Sequence, residues 1–285
     1  MSYVEPSNLL ILNRKTNKSK FASNIESVQY IIDKIGGVNN IQLSKLWHAK
    51  KCLFVEGNDI KVLSYLYNCI VEYYEPSIEQ IPNMSIGGWE GWHKVKSTAE
   101  FIRNQTGDGI SFYCILDSDY HSEKEINIRY EEAKKLGINL KIWAKKEIEN
   151  YLINSDVFLK LLDWELDKEF SKEEIDIIIN NTLDEFREEV IESFTDSFQK
   201  ENRGWNSSKC YREAKKFVEQ NYDTLEKRMK IVPGKKVLSK LSDKFHEKYG
   251  VILNPVKIAY HFEYEDISEE MFDFFKTFNV DLRDF

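Results

Sequence analysis

Three acidic residues stand at the ends of two apolar segments. Glu56 follows Lys51–Val55, and Asp117 and Asp119 follow Ile110–Leu116, the strongest strand pattern in the chain. Ligand crevices of α/β sheets lie at the carboxyl ends of strands. Carboxylates gathered there repel one another unless a cation holds them, and hard oxygen ligands suit Mg²⁺ or Mn²⁺. The pattern therefore predicts a metal pocket shared by the three acids.

These residues also have ordinary structural interpretations. A lone Asp-x-Asp pair is more often an Asx-turn or a helix cap, and Asp59 could cap the helix that it opens. Glu149 could complete a second metal site or be an exposed helix charge, as is expected of Glu147. The glycines Gly87 and Gly88 indicate either a plain turn or a close approach of phosphate backbone. Two strand ends that both terminate in acids favour the functional interpretation.

Alternating elements position these residues. Strands are predicted at 51–55, a short apolar run, at 110–116, the strongest pattern, and at 83–86 and 139–143. Periodic apolar residues predict helices at 59–74, 92–103 and 123–136. Four strands separated by three helices indicate parallel pairing. We therefore expect an α/β domain with a parallel four-strand sheet, flanked by helices, over residues 50–153.

The flanking segments differ in character. After Ile148 strand signals fade, and residues 154–285 form an expected helical domain. Its predicted helices are 155–163, 171–201, 206–230, 235–249 and 267–278. Residues 1–49 form an appendage. Its predicted parts are a strand over 8–12, a basic loop over 14–20 and a helix from Ser23 to Gly36.

Composition narrows the class of protein. Neither a signal peptide nor a long apolar span is evident, so we expect a cytoplasmic protein without membrane contact. The four cysteines form no CxxC pair, which favours buried thiols over structural zinc. A net charge of −8 argues against general coating of DNA. Two basic stretches, 1–51 and 210–250, nevertheless flank an acidic one, 163–201.

Four segments, in this order, resemble the TOPRIM domain of the OLD-family nucleases and of related ATPase-associated effectors of phage defence. They are Phe54–Lys61, Ile86–Trp89, Ile115–Tyr120 and Lys146–Leu152. Each segment alone is a weak signal, whereas their order and spacing are specific. The segment Val232–Leu238 and the helix after it resemble the C-terminal part of the same nucleases.

The resemblance implies a Rossmann-like sheet and a Mg²⁺- or Mn²⁺-dependent endonuclease, with DNA favoured over RNA and tRNA as substrate. Glu56 would act as ligand and acid/base, and Lys235 would stabilise the transition state. The ligands of two ions would be Glu56, Asp59, Asp117, Asp119 and Glu149. Nucleic acid would contact Gly87, Gly88, Lys145, Lys146 and Lys236.

The sequence departs from the complete OLD pattern, because no GxxxxGK[ST] Walker motif and no ABC signature occur. Residues 8–48 resemble the stretch that joins the ATPase to TOPRIM, which implies either a split-gene nuclease with a separate ATPase partner or an excised or degenerate fragment. The apolar face around Val28, Ile31 and Ile32 would contact that partner, pack on its own sheet, or form a homodimer.

Other functions fit the residues less well. Topoisomerase chemistry needs a nucleophilic tyrosine, and nothing marks Tyr120 or Tyr151 as one. A primase would bring a zinc ribbon that the cysteine spacing does not supply. The alternative from another class is a non-catalytic module that docks or regulates an ATPase. The complete acidic set argues against it, because docking needs no clustered carboxylates.

Overall fold

A computed structural model describes residues 10–13, 18–21, 46, 49–71, 77–107 and 109–280. Near the N-terminus, β1 (Leu10–Asn13) pairs antiparallel with β2 (Lys18–Phe21). The expected strand over 8–12 is confirmed for its described residues, 10–12. The expected loop is wrong from Lys18 onward, because a ladder of backbone hydrogen bonds forms whatever the polarity of the side chains. The helix expected from Ser23 to Gly36 lies outside the described residues.

The central element is a four-stranded parallel sheet, as the sequence predicts. Its strands are β3 (Lys51–Val55), β4 (Asn83–Ser85), β5 (Ser111–Leu116) and β6 (Ile138–Ile142), in the order β4-β3-β5-β6. Val55 lies opposite Ser85 on one side and Ile115 on the other. β3 is buried throughout and β5 from Phe112 onward, which explains why Cys52–Val55 and Phe112–Leu116 are continuous apolar runs.

Helices follow the first three of these strands. They are α1 (Ile60–Asn68), α2 (Trp92–Thr106) and α3 (Glu123–Lys135). α2 runs past Arg103 and ends at Gly107, whose φ of 69° suits glycine. Asp59 stands at the N-terminus of α1 but makes no side-chain capping hydrogen bond. Capping therefore does not explain an aspartate at this position.

The region after β6 is helical, as expected. Its helices are α4 (Glu149–Leu152), α5 (Ser155–Leu166), α6 (Lys172–Glu185), α7 (Arg187–Glu201), α8 (Ser207–Gln220), α9 (Leu225–Ile231), α10 (Gly234–Tyr249), α11 (Pro255–Tyr260) and α12 (Glu269–Val280). The single helix expected over 171–201 breaks at Phe186, whose N–H donates to Leu183 O in a tighter turn. The helix expected over 206–230 breaks before Thr224, which caps α9.

α10 carries the residues that organise the candidate site at its N-terminal end. Val237, Leu238, Leu241 and Phe245 form its buried face. This spacing of three and four residues keeps one side of the helix in the core. Because the apolar face fixes the rotation of the helix about its axis, the direction of the residues in its first turn is fixed too.

The chain divides into two compact units. The first comprises residues 1–58, 76–115 and 133–140, and the second comprises 59–75, 116–132 and 141–285. Most of the paired strand residues belong to the first unit, and α4–α12 belong to the second. Among the described residues, no helix has the length and apolar character needed to cross a membrane.

Candidate active site

Asp117, in the second unit, directly follows β5 and is 3% exposed. Its Oδ1 accepts a hydrogen bond from the backbone N–H of Ile148 at 3.1 Å. Its Oδ2 lies 3.3 Å from the Nζ of Lys235. A buried carboxylate needs such partners, because an unpaired charge out of water is very costly. Asp117 is therefore held in one orientation by two different elements.

Two further hydrogen bonds join the segment after β5 to the loop 144–150, which we call the acidic loop. Ser118 Oγ donates to Lys145 O at 3.1 Å, and Asp119 N–H donates to Lys146 O at 3.1 Å. Asp119 has a φ of 45°, a left-handed conformation that aspartate tolerates better than most residues. The left-handed backbone is thus as good an explanation for an aspartate at position 119 as a role in metal binding would be.

The acidic loop is in turn bound to the start of α10. Lys235 N–H donates to Glu147 Oε2 at 2.7 Å, where the carboxylate meets a helix N-terminus. Asn150 accepts from Glu147 N–H at 2.9 Å and donates to Val232 O at 3.0 Å. A Cβ at Gly234 would lie 2.4 Å from Asn150 Oδ1, so this contact requires glycine. Backbone groups at the end of α9 and the start of α10 thereby hold the loop in place.

Glu149 lies on the same loop, at the start of α4, and is 6% exposed. Its Oε2 is buried without a hydrogen-bond partner among the described residues. Burial raises the pKa of this carboxyl to about 7, with a further contribution from the charges of Asp59 and Glu147, against the opposing effects of Lys235 and of a hydrogen bond from the residue's own backbone N–H. A buried carboxylate oxygen without a partner is a position that a cation would stabilise.

Lys235 is one of two lysines in this cluster, the other being Lys146, whose Nζ lies 3.8 Å from Glu147 Oε1. Burial acts to lower the pKa of the Lys235 ammonium, but the charges of Asp117, Glu149 and Glu147 outweigh that effect and raise the pKa above its ordinary value. Lys235 therefore stays protonated across the physiological range. Its charge balances only part of the negative charge of the nearby acids, since Asp59 adds to the charge that acts on Glu149.

The acidic residues fit a Mg²⁺ or Mn²⁺ ion in donor type, and the unpartnered oxygen of Glu149 marks a position for one. Among the described residues, however, no three His, Cys, Asp or Glu side chains converge as a ready-made metal site. This finding is compatible with Mg²⁺, which usually keeps several waters and is bound by one or two carboxylates together with substrate phosphate. The acidic residues therefore fit a divalent ion that is also bound by water or phosphate oxygens.

Glu56 belongs to the first unit and is half-buried. Its backbone O accepts from Gly87 N–H at 3.1 Å and from Gly88 N–H at 3.4 Å. Both glycines have positive φ, 78° and 96°, which explains their residue type through the turn itself. A Cβ at Gly88 would lie 3.9 Å from Glu56 Oε1, an ordinary contact, so it is the turn rather than crowding that requires glycine.

The three lysines expected to contact nucleic acid have partners within the protein. Lys145 is half-buried, donates to Asn150 O at 3.2 Å and lies over the Tyr151 ring. Lys146 is 6% exposed, with its Nζ 3.8 Å from the centroid of the Tyr120 ring. Lys236 is exposed and pairs with Glu189 at 2.6 Å. Lys145 and Lys146 therefore stabilise the acidic loop through their contacts with other residues of the protein.

Sequence reasoning missed several residues that hold the site together. Glu147, expected to be an exposed charge, is 8% exposed, because its carboxylate accepts the N–H of Lys235. The partners of Asn150 and Gly234 lie far along the chain, so no local pattern marks them. Glu270 on α12 accepts from Ala144 N–H at 2.9 Å and from Tyr151 Oη. A lone glutamate at the start of a C-terminal helix gives no signal of that contact.

Comparison with known proteins adds no relative. Neither a protein-family model, nor a curated protein, nor a solved structure matches this chain.

Proposed function

We propose that the protein is a Mg²⁺- or Mn²⁺-dependent endonuclease whose active site is built on Asp117, Glu149 and Lys235. The observation that carries the proposal is the buried, unpartnered oxygen of Glu149, together with a fixed aspartate and a protonated lysine at the end of the central strand. A purely structural design gains nothing from a buried carboxylate without a partner. Nucleic acid brings both phosphate and the divalent ions that accompany it.

The residues of the cluster can perform distinct tasks. A bound divalent ion would polarise the phosphodiester and lower the pKa of a water molecule. Asp117 and Glu149 would hold the ion, with Asp59 adding negative charge, and Asp119 is the further candidate ligand. Lys235 would stabilise the negative charge that develops on the phosphate in the transition state. The hydrogen bonds of the acidic loop keep these groups oriented before substrate arrives.

Glu56 enters the proposal as the acid that follows β3. The strands β3 and β5 pair in parallel with Val55 opposite Ile115, so the two strands end at the same edge of the sheet. The role proposed for Glu56, further metal ligand and acid/base, is the one that the TOPRIM resemblance implies. Gly87 and Gly88 would leave room for the phosphate backbone next to it.

The second candidate is a non-catalytic module that docks or regulates a separate ATPase. Two observations favour it: Lys235 already neutralises Asp117, and no three acids converge among the described residues. In either function we propose an ATPase partner, and for the nuclease a role as effector in phage defence. Co-purification from the native operon, followed by identification of bound proteins, tests the partner.

The nuclease is tested by incubating plasmid DNA and tRNA with the full chain in Mg²⁺, in Mn²⁺ and in EDTA. We expect cleavage only with a divalent ion, and loss of cleavage in Asp117→Asn and Glu56→Gln variants that keep the wild-type circular dichroism. Full activity of purified Asp117→Asn would refute the mechanism. Absence of cleavage with either ion and with the ATPase added favours the docking module.

Metal binding has a readout that does not depend on activity. A ligand that binds only the folded state raises its melting temperature. We expect Mg²⁺ to raise the melting temperature of the wild type and to have a smaller effect on Glu149→Gln. The control is Glu131→Gln, an exposed acid on α3. An equal Mg²⁺ effect on all three proteins would remove Glu149 from the site.

A further inference from the structure

A pocket of about 310 Å³ lies between α7 and α8. The aromatic rings of Phe198, Trp205 and Phe217 form part of its wall. The ring of Phe217 packs at a tilt against that of Phe194, 4.6 Å away, and edge to face against that of Phe198, 6.2 Å away, so packed aromatic side chains join the two helices. Trp205 comes from the connection between the helices and is half-buried. The pocket therefore offers flat apolar surfaces that are open to a ligand.

The remaining wall of the pocket is polar. It carries the side chains of Glu201, Asn202, Glu213 and Gln220. Amides both donate and accept hydrogen bonds, and carboxylates accept them. These are the groups with which proteins read the edges of nucleobases, glutamate accepting from an amino group and asparagine or glutamine pairing with adenine. Flat rings with a polar edge match a planar heterocycle better than an aliphatic ligand.

The surface around the pocket is basic. Between Lys200 and Lys216 there are six bases and two acids, and all six bases are exposed. The bases are Lys200, Arg203, Lys209, Arg212, Lys215 and Lys216. Within the part of the chain that the structure describes, none of the six forms an ion pair. Each of the eight bases from Lys227 to Lys248 does form one.

Helical spacing places basic residues beside the aromatic rings. Lys209, Arg212 and Lys216 stand at positions i, i+3 and i+7 of α8, and such residues share one face of a helix. Lys216 lines the pocket itself. The Nζ of Lys209 lies 4.0 Å from the centroid of the Trp205 ring. Positive charge and stacking surface thus meet on one face of the protein.

We propose that this α7–α8 surface, residues 198–220, binds single-stranded nucleic acid, with an unstacked base in the pocket and phosphates on Lys209, Arg212 and Lys216. A base in a duplex is paired and stacked and cannot enter such a pocket, whereas an unpaired base can stack on an aromatic side chain. An acidic peptide fits less well, because its carboxylates bring no planar ring to stack on the aromatic wall of the pocket. The role of the bound single-stranded nucleic acid as a substrate rests on the proposed nuclease function.

The binding test is carried out in EDTA, so that it does not depend on cleavage. Fluorescence anisotropy measures the affinity of the full chain for labelled single strands of about 16 nucleotides, as DNA and as RNA, and for the DNA duplex. We expect a single strand to bind more tightly than the duplex. Trp205→Ala should weaken single-strand binding roughly tenfold, and Trp205→Phe should retain most of it. The tighter of the two single strands identifies the substrate chemistry.

Charge variants complete the design. Lys209→Gln with Lys216→Gln should weaken binding and reduce the slope of log affinity against log salt by about 2. The control is Lys134→Gln with Lys135→Gln, which removes two exposed lysines at the end of α3 and should leave affinity unchanged. Wild-type affinity in Trp205→Ala, or equal affinity for the duplex, would reduce the surface to a general polyanion patch and overturn the inference. Competition by polyglutamate as strong as by oligonucleotide would also overturn it.

The two proposals fail separately. If single strands bind through Trp205 but no divalent ion produces cleavage, the nuclease fails and the binding site stands. If Mg²⁺-dependent cleavage occurs but Trp205→Ala binds and cuts as the wild type does, the site fails and the nuclease stands.

Discussion

The side chain of Asn150 occupies the space that a side chain at Gly234 would need. A Cβ at residue 234 would come within 2.4 Å of Asn150 Oδ1 and 2.9 Å of its backbone N. The same amide bridges Glu147 N–H and Val232 O, and Asn150 is fully buried. Close packing at this point therefore joins the acidic loop to the first turn of α10, which carries Lys235.

Alanine at 234 should disrupt this junction. We expect Gly234→Ala to lower the free energy of unfolding by about 1–3 kcal/mol, because the added methyl group must displace the buried side-chain amide and the backbone N of Asn150. Urea denaturation followed by circular dichroism measures the change. The control is Gly204→Ala, since a Cβ at Gly204 meets nothing within 4 Å. Equal stability of the two variants would show that the junction is not closely packed.

Glu270 should act as a positioning residue for the acidic loop. Its carboxylate accepts from Ala144 N–H and Tyr151 Oη and pairs with Lys141 at 2.7 Å. Glu270→Gln loses the charge that supports these contacts, so we expect a lower cleavage rate with little change in the Michaelis constant. The control is the exposed neighbour Glu269→Gln. If the fraction of folded Glu270→Gln protein falls in proportion to its cleavage rate, the residue only stabilises the fold.

The sequence predicts the two central strands, β3 and β5, well because most of each is a continuous apolar run that is visible locally, whereas β4 and β6 mix polar with apolar residues. β5 is the clearest case, with every residue from Phe112 to Leu116 buried. Helix breaks are harder to predict. Phe186 interrupts a helical pattern without glycine or proline, through a single tighter turn. α11 was missed although Asn254 and Pro255 form a helix start, because it spans only six residues.

The candidate site is predicted only in part. Asp117 and Lys235 could be proposed because one follows a strong strand and the other lies in a segment resembling a known nuclease. Their 3.3 Å contact joins residues 118 positions apart, and periodicity carries no information on such pairs. Glu147 was misjudged for the same reason. Its partner, the N–H of Lys235, is a backbone group that has no signature in the sequence.

Lys145 should make stability depend on pH in the alkaline range. Burial lowers the pKa of its ammonium from 10.5 to about 8, with Glu270 and Glu226 opposing. Between about pH 8 and 10.5 the unfolded chain therefore binds more protons than the folded one, and this residue makes stability rise with pH. Below pH 8 the full cost of burying the charge is present.

We expect the stability of wild type relative to Lys145→Met to increase by about 1–2 kcal/mol from pH 7.5 to pH 10.5. Urea denaturation at a series of pH values measures both proteins. Lys124→Met, at an exposed position on α3, serves as the control and should show no such trend. A constant difference between wild type and Lys145→Met would mean that Lys145 is solvated in the folded protein.

Lys235 should oppose metal binding while promoting catalysis. Its ammonium lies 3.3 Å from Asp117 Oδ2, and it also acts on Glu149. A divalent ion at these carboxylates would meet that positive charge, so Lys235→Met should bind Mg²⁺ more tightly than the wild type. The same variant lacks the cation that stabilises the transition state, and its cleavage rate should fall about 10²–10³-fold.

Calorimetric titration with Mg²⁺ and initial cleavage rates measure the two effects. Lys240→Met, which removes an exposed lysine of the same helix paired with Glu185, is the matched control and should change neither quantity. If Mg²⁺ affinity and cleavage fall together in Lys235→Met, the lysine holds the carboxylates in place rather than acting on the phosphate.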